Sequence, residues 1–467
     1  MEGLQHLIDS TNNILWGYVM IVSLIGCALY FTIRSRFVQF TMLQEMFRQL
    51  TNSAERERGA SKSHISPFQA FAVSLASRVG TGNLAGVATA ITIGGPGAVF
   101  WMWVIALIGA ANAFIESTLA QLYKRHSADS YIGGPAYYIM YGLRNKPMAI
   151  LMSVLTILTF GFAFNTVQSN TICEAVENAF GIGHMEFGIA ITIATLLIIF
   201  GGIQRIAKFS SIIVPIMALG YIALALVIVG MNISHLPAVM ELIFENAFGI
   251  DKVVAGGMGA AVMQGIKRGL FSNEAGMGSA PNAAATASTS HPIKQGLIQT
   301  LGVFTDTLLI CSCTAFIILI SGVGLSQADG VRLTQEALSL HIGSAGRIFV
   351  AIAIFFFAFS SIIGNYYYGE ANIRFITKSR ITLTLYRLLV GMMVMGGAMM
   401  SLKMVWSLAD ITMGLMTLCN LVAITMLGRK VMLLLTDYRL QKSKGKDPVF
   451  KKSDVKEFAN DDSVECW

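Results

Sequence analysis

Ser77-Arg78-Val79-Gly80-Thr81-Gly82-Asn83 interrupts an otherwise apolar run over 68–93. Glycine weakens a helix, and a hydrocarbon medium supplies no water for the backbone groups that a break frees. Such a break is tolerated only where it lines a cavity or holds something. Ser272-Asn273-Glu274-Ala275-Gly276-Met277-Gly278-Ser279 repeats the Gly-x-Gly core much later in the chain. Broken helices at corresponding places in two halves of a sequence mark the binding site of a secondary transporter. The bland reading is a flexible kink for close packing, but Asn83 adds a polar side chain that packing does not need.

Outside these breaks the chain is apolar. Of 467 residues, 54% are hydrophobic and 13% charged, against roughly 25% charged in an average soluble domain. That composition means many membrane spans rather than one large core. Apolar windows predict eleven: 14–33, 67–93, 98–123, 147–179, 187–203, 207–231, 253–290, 298–323, 346–373, 381–400 and 405–427. The first run starts without a basic stretch before it and is long enough to remain as a span, so no cleaved leader is expected. An amphipathic surface helix is expected over 40–50, and Ser66-Pro67 reads as a helix start. The six cysteines are scattered, without metal spacing or a disulfide pattern.

Lysine and arginine orient the spans. With the N-terminus outside, the inward segments hold 26 of these residues and the outward segments 4. The net charge of +7 is therefore orientation charge rather than a nucleic-acid surface. Setting aside the first span leaves two sets of five, each opening with a broken helix. Five is odd, so the sets are inverted in the membrane. The expected organisation is an added N-terminal helix and amphipathic linker (1–65), a first repeat (66–231), a second repeat with an outer segment (232–427) and a loose, basic cytoplasmic tail (428–467).

A broken helix offers free N–H groups and a positive dipole end to a carboxylate, and free carbonyls to a cation. The substrate carboxylate is expected on the amides around Thr81, Gly82 and Asn83, and sodium on carbonyls near Ala76 and Val79. Span four carries Asn165, Gln168 and Asn170, of which Gln168 is the candidate to face a ligand; interhelical hydrogen bonding is the alternative. Ser360 and Ser361 could complete a hard-cation site or bond back to their own helix. Arg78, Glu116, Lys267, Arg268, Glu274, Asp306 and Glu370 lie within or at the ends of spans and must pair or face water. An ion-pair network is favoured over proton transfer, with Arg78 expected to pair with Glu274. No P-loop, metal cluster of histidines or catalytic triad is present in the sequence, so no enzyme and no cofactor is expected.

At these residues the chain resembles the alanine or glycine:cation symporter family. The match lies in Ser77-Arg78-Val79-Gly80-Thr81-Gly82-Asn83-Leu84-Ala85-Gly86-Val87-Ala88, Gly94-Gly95-Pro96-Gly97, Gly133-Gly134-Pro135 and the run from Gly269 to Pro281, and extends over nearly the whole chain. The resemblance implies an all-α membrane protein with a leucine-transporter-like 5+5 inverted repeat and one extra helix. It further implies sodium-coupled uptake of a small neutral amino acid across a bacterial inner membrane. Family roles fall on Gly80, Thr81 and Gly82 with Phe271, Ser272, Asn273 and Gly276 of the second break, and on Gln168 as a ligand contact. Ala76, Val79, Ser360 and Ser361 would form one sodium site, with Asn83 near a second. Many members carry tryptophan after the glycine of the span-nine motif, where this chain has Asn365. A smaller, polar residue implies a larger or more polar pocket, which brings serine and glutamine into range beside alanine and glycine. Proton coupling, and from another class a channel or sensor, remain as alternatives.

Overall fold

Helix follows helix along a computed structural model that describes residues 10–57, 65–127, 130–249, 257–326 and 328–467. The first span is one continuous helix, ending in α1 (Met20–Arg34), and an amphipathic surface helix α2 (Leu43–Glu57) follows it. The Ser66 hydroxyl accepts the Gln69 amide at 3.0 Å and the Gln69 side chain accepts the Ser66 amide at 3.0 Å. This reciprocal cap starts α3 (Pro67–Arg78), which stops at the first glycine break. The chain resumes in a π-helical turn, Gly82–Gly86, and α4 (Val87–Gly94). Gly95, at φ 74°, turns it into α5 (Gly97–Leu122). A two-stranded hairpin, β1 (Arg125–Ser127) and β2 (Ser130–Ile132), projects beyond α5.

The expected fourth span is α6 (Lys146–Thr156) and α7 (Phe164–Phe180), continuous through a π-helical stretch, and α8 (His184–Ile199) and α9 (Gly202–Met231) follow. The chain then bends by 77° into the helix that includes α10 (Leu236–Ala247). The start of the expected seventh span, 253–256, lies outside the described residues. From there α11 (Gly257–Asn273) runs to the second break, beyond which comes a single short helix, α12 (Ala280–Ala284). The eighth span is α13 (Pro292–Val303) and α14 (Ser312–Ser321), again joined through a π-helical stretch. The last elements are α15 (Gly330–Ile342), α16 (Ala345–Ile376), α17 (Arg380–Met399) and α18 (Leu402–Ser443).

Among the described residues, seven helices are long and apolar enough to cross a membrane, or eight with the bent pair taken as one. Neither half of a broken helix reaches that length alone. A count of eleven therefore requires reading each glycine break as internal to one span and counting the shorter apolar helix α8 (His184–Ile199) as a span as well.

Two expectations from the sequence need correction. The tail is not loose. Helix α18 continues through Gly428 because Val431, Leu434, Leu435 and Tyr438 extend the buried stripe. Gly428 permits it, since a Cβ there would meet the Phe31 ring at 2.3 Å. Beyond α18, Phe450, Phe458 and Val464 are buried, and Trp467 donates to the Gln121 carbonyl at 2.9 Å. The segment between the eighth and ninth spans also holds an unforeseen helix, α15. Asp329 caps it by accepting the Gly330 amide at 2.6 Å, and Val331, Leu333, Ala337 and Leu338 form its buried face.

Candidate functional site

The two breaks meet at the centre of the helix bundle. A Cβ on Gly82 would lie 3.0 Å from the Ser272 Cα and 3.2 Å from the Phe271 ring. Phe271 in turn packs between Phe164 and Trp406 as tilted pairs, with ring centroids 4.4 and 4.7 Å away. Only glycine lets the backbone of the first break approach this aromatic cluster.

On the other face of the same break, the expected sodium ligands converge. The Ser361 hydroxyl oxygen lies 3.0 Å from the Ala76 carbonyl, 3.2 Å from that of Val79 and 3.0 Å from that of Phe357. Ser360 joins the cluster less closely, 2.8 Å from the Phe357 carbonyl and 3.5 Å from that of Ala76. A hydroxyl has one proton to donate. At least two of the three carbonyls around Ser361 therefore face its lone pairs, an arrangement of hard oxygen donors that suits a small cation. Back-bonding to Phe357 holds both serines at this position.

Two amides of the first break have side-chain acceptors. The Gly80 N–H donates to Asn83 Oδ1 at 2.9 Å, and the Thr81 N–H to Gln168 Oε1 at 3.0 Å. A Cβ on Gly80 would stand 2.3 Å from the Ser361 oxygen and 2.9 Å from Gln168 Oε1. Gly80 thus lies close against both Gln168 and Ser361. The other span-four amides serve the helices: Asn165 donates to the Gly161 carbonyl, and Asn170 to the Gly397 and Met400 carbonyls. Asn365 is fully buried; its side-chain oxygen lies 2.8 Å from the Ser77 oxygen and its amide donates to Asn165 at 3.2 Å.

Three buried carboxylates hold the breaks in shape. Asp306 accepts from Asn83 at 2.6 Å, from Ser272 at 2.7 Å and from Thr307 at 2.9 Å. It therefore ties the first break to the last turn before the second. Glu116 accepts the Gly276 amide at 3.1 Å, the Gly278 amide at 3.0 Å and the Asn420 amide at 2.7 Å. An internal carboxylate thus sits on the second break's free N–H groups. Gly276 and Gly278 lie at φ 86° and 88°, where a side chain would be strained. Asn273 donates to the Thr307 hydroxyl at 3.2 Å and accepts the Ala275 amide at 3.0 Å, which turns the chain out of α11.

Glu274 accepts from Ser77 at 2.8 Å and from Ser279 at 2.5 Å. The expected Arg78–Glu274 ion pair is not formed; Arg78 donates to the Gln299 carbonyl at 3.2 Å instead. The two residues flank their breaks in sequence, but the chain turns Ser77, not Arg78, toward the second break. Lys267 and Arg268 pair with Asp410 at 2.6 and 2.7 Å. The sequence shows Glu116 and Asp306 as charges within apolar runs. Asn420, far away in the chain, gives no such signal.

Residues 1–452 match the model of the sodium:alanine symporter family. The chain belongs to that family. It is a multi-pass membrane amino-acid symporter and not an enzyme. It is 51% identical to the probable sodium/glutamine symporter GlnT of Bacillus subtilis, over 99% of this chain and 96% of that protein. It is 49% identical to the amino-acid carrier protein AlsT of the same organism, over 99% and 97%. With the sodium/alanine symporter AgcS of Methanococcus maripaludis it shares 37% identity, over 90% and 94%. The family member has the leucine-transporter-like fold. Among solved structures, MhsT bound to L-phenylalanine superposes with a TM-score of 0.53 at 15% identity, covering 86% of this chain and 93% of that one. A manganese transporter of Eremococcus coleocola gives 0.55 at 12% identity, covering 85% and 90%.

Proposed function

We propose that this symporter couples sodium to the import of a small neutral amino acid by alternating access. The observation that carries the reading is the cluster of Ala76, Val79 and Phe357 carbonyls around the single Ser361 hydroxyl. A cation there neutralises crowded oxygen lone pairs and orders the backbone at 76–79. The amides at Gly80–Gly82 on the other side of that backbone then take the substrate carboxylate, with Gln168 exchanging its contact to Thr81 for one to the ligand. Phe271 and Trp406 wall the side-chain end, beside the second break. Asn83 belongs to a second cation position through its contact with Asp306. Membrane insertion follows the charge count, with the N-terminus outside and the tail in the bacterial cytoplasm.

The substrate side chain falls among alanine, glycine, serine and glutamine. The relative named as a glutamine symporter and the small amide at Asn365 support including the larger member. The test is uptake of labelled alanine and glutamine into proteoliposomes under an imposed sodium gradient. Saturable accumulation of either that collapses when the gradient is removed supports the reading; equilibration without accumulation contradicts it and indicates a channel.

Proton coupling is the second reading, and one observation favours it. Asp306 is fully buried and hydrogen-bonded only to neutral donors among the described residues. Two relatives are named as sodium/proton-dependent alanine carriers. Uptake that follows a pH gradient and ignores sodium would decide for it.

A further inference from the structure

Outside the site described above, the end of α7 and the start of α8 bring three metal-ligating side chains together. Glu174 and Glu177 are three residues apart on α7, so they share a face. Gly181, in the left-handed conformation at φ 71°, ends that helix, and the turn after it returns His184 to the two carboxylates. One ligand atom from each of Glu174, Glu177 and His184 lies within 4.8 Å of the others. His184 Nε2 is 3.4 Å from a Glu174 oxygen and 3.4 Å from a Glu177 oxygen.

The histidine tautomer is set by its other nitrogen. Nδ1 lies 2.8 Å from the Ala398 carbonyl. A carbonyl only accepts, so Nδ1 carries a proton. Neutral imidazole would then point its Nε2 lone pair at two carboxylates, which is repulsive. A cation between them would relieve that repulsion. A histidine whose remaining N–H is held by a backbone carbonyl is the usual arrangement around a bound metal. The spacing agrees as well. Zinc holds nitrogen and oxygen ligands at about 2.0–2.2 Å in a tetrahedron, which puts neighbouring ligand atoms roughly 3.4 Å apart.

We propose that Glu174, Glu177 and His184 form a binding site for a zinc-class divalent cation, for which Arg332 is the resident competitor. Arg332 reaches the site from α15, through Nε to Glu174 and through Nη2 to Glu177 at 3.2 Å. It therefore places positive charge on the same two carboxylates. Its helix rests on the far half of the first break: Thr334 donates to the Leu84 carbonyl at 3.2 Å, and Thr89 donates to Asp329 at 3.3 Å. Metal binding and the docking of α15 through Arg332 draw on one pair of carboxylates, so each weakens the other.

The test is titration of the full-length protein in detergent at pH 8 with cobalt(II), read by its visible absorption, and then with zinc as competitor. The wild type is expected to bind one ion with a tetrahedral spectrum. His184→Ala should weaken binding by at least about tenfold, and Arg332→Gln should strengthen it by a similar factor, as expected when a supporting or competing group at a metal site is changed. Sodium-dependent uptake of labelled alanine in metal-free buffer should be unchanged in His184→Ala. If His184→Ala does not fold, Glu174→Gln takes its place with the same expected loss. A wild type that binds no ion overturns the proposal. Equal affinity in the wild type and His184→Ala overturns it too, and an unchanged affinity in Arg332→Gln overturns the competition.

Discussion

Asn83 donates its side-chain amide to the Asp306 carboxylate at 2.6 Å while its own oxygen accepts the Gly80 amide at 2.9 Å. One side chain thus connects the loop of the first break to the eighth span, and through Ser272 to the second break. Removing either end leaves buried donors without an acceptor, at a cost of about 1–3 kcal/mol. Asn83→Ala and Asp306→Ala should each lower thermal stability and uptake. The double variant should be less damaged than the sum, with a coupling of roughly 0.5–3 kcal/mol. Additive losses in a denaturation cycle would show that the two do not act together.

Gly80→Ala tests the close approach at the first break. The added Cβ would stand 2.3 Å from the Ser361 oxygen, so the serine or the backbone must move. We expect uptake to fall by more than about a hundredfold, which corresponds to roughly 2.7 kcal/mol, in a protein that remains monodisperse. Near-normal uptake would mean that this contact does not shape the site.

Glu116→Gln should destabilise the second break. The carboxylate accepts both the Gly276 and Gly278 amides, whereas a glutamine turns one donor group toward a donor. The expected cost is about 1–3 kcal/mol, visible as a lower melting temperature, with slower uptake of labelled alanine. Unchanged melting would contradict the bracing role.

Lys124 gives a pH dependence at the hairpin end of α5. Burial pushes its amine down to about 7, where the Nζ sits over the Tyr131 and Trp467 rings at 4.0 and 4.5 Å. Between that value and the ordinary lysine range, the unfolded chain binds more protons than the folded one. Stability therefore rises with pH across that window, by up to about 1.4 kcal/mol per unit. Melting temperatures from pH 7 to pH 9 should climb more steeply in the wild type than in Lys124→Met; parallel curves would exclude the effect.

The breaks were legible because glycine and apolar context conflict there, and the serine pair because adjacent hydroxyls are unusual in a span. Ser66-Pro67 announced its helix through local capping chemistry alone. The rest depended on tertiary partners. Nothing local to Arg78 shows that it faces Gln299 rather than Glu274, since a one-residue change around a helix redirects a side chain by about a quarter turn. The glycine at Gly428 and the charged residues after it suggested an end to α18. The buried stripe from Val431 to Tyr438 overrode both. Asn420, which bridges Glu116 and the Gly276 carbonyl, looked like any isolated amide.

We propose that the carbonyl and hydroxyl oxygens at the first break hold the coupling cation. Initial rates of labelled alanine and glutamine uptake into proteoliposomes, measured against external sodium for the wild type and Ser361→Ala, test it most directly. Saturable sodium dependence is expected in the wild type for at least one of the two. In the variant the half-saturating sodium concentration should rise by at least about tenfold, or roughly 1.4 kcal/mol. Superimposable sodium curves for the two proteins, or wild-type uptake that proceeds on a pH gradient without sodium, would contradict it.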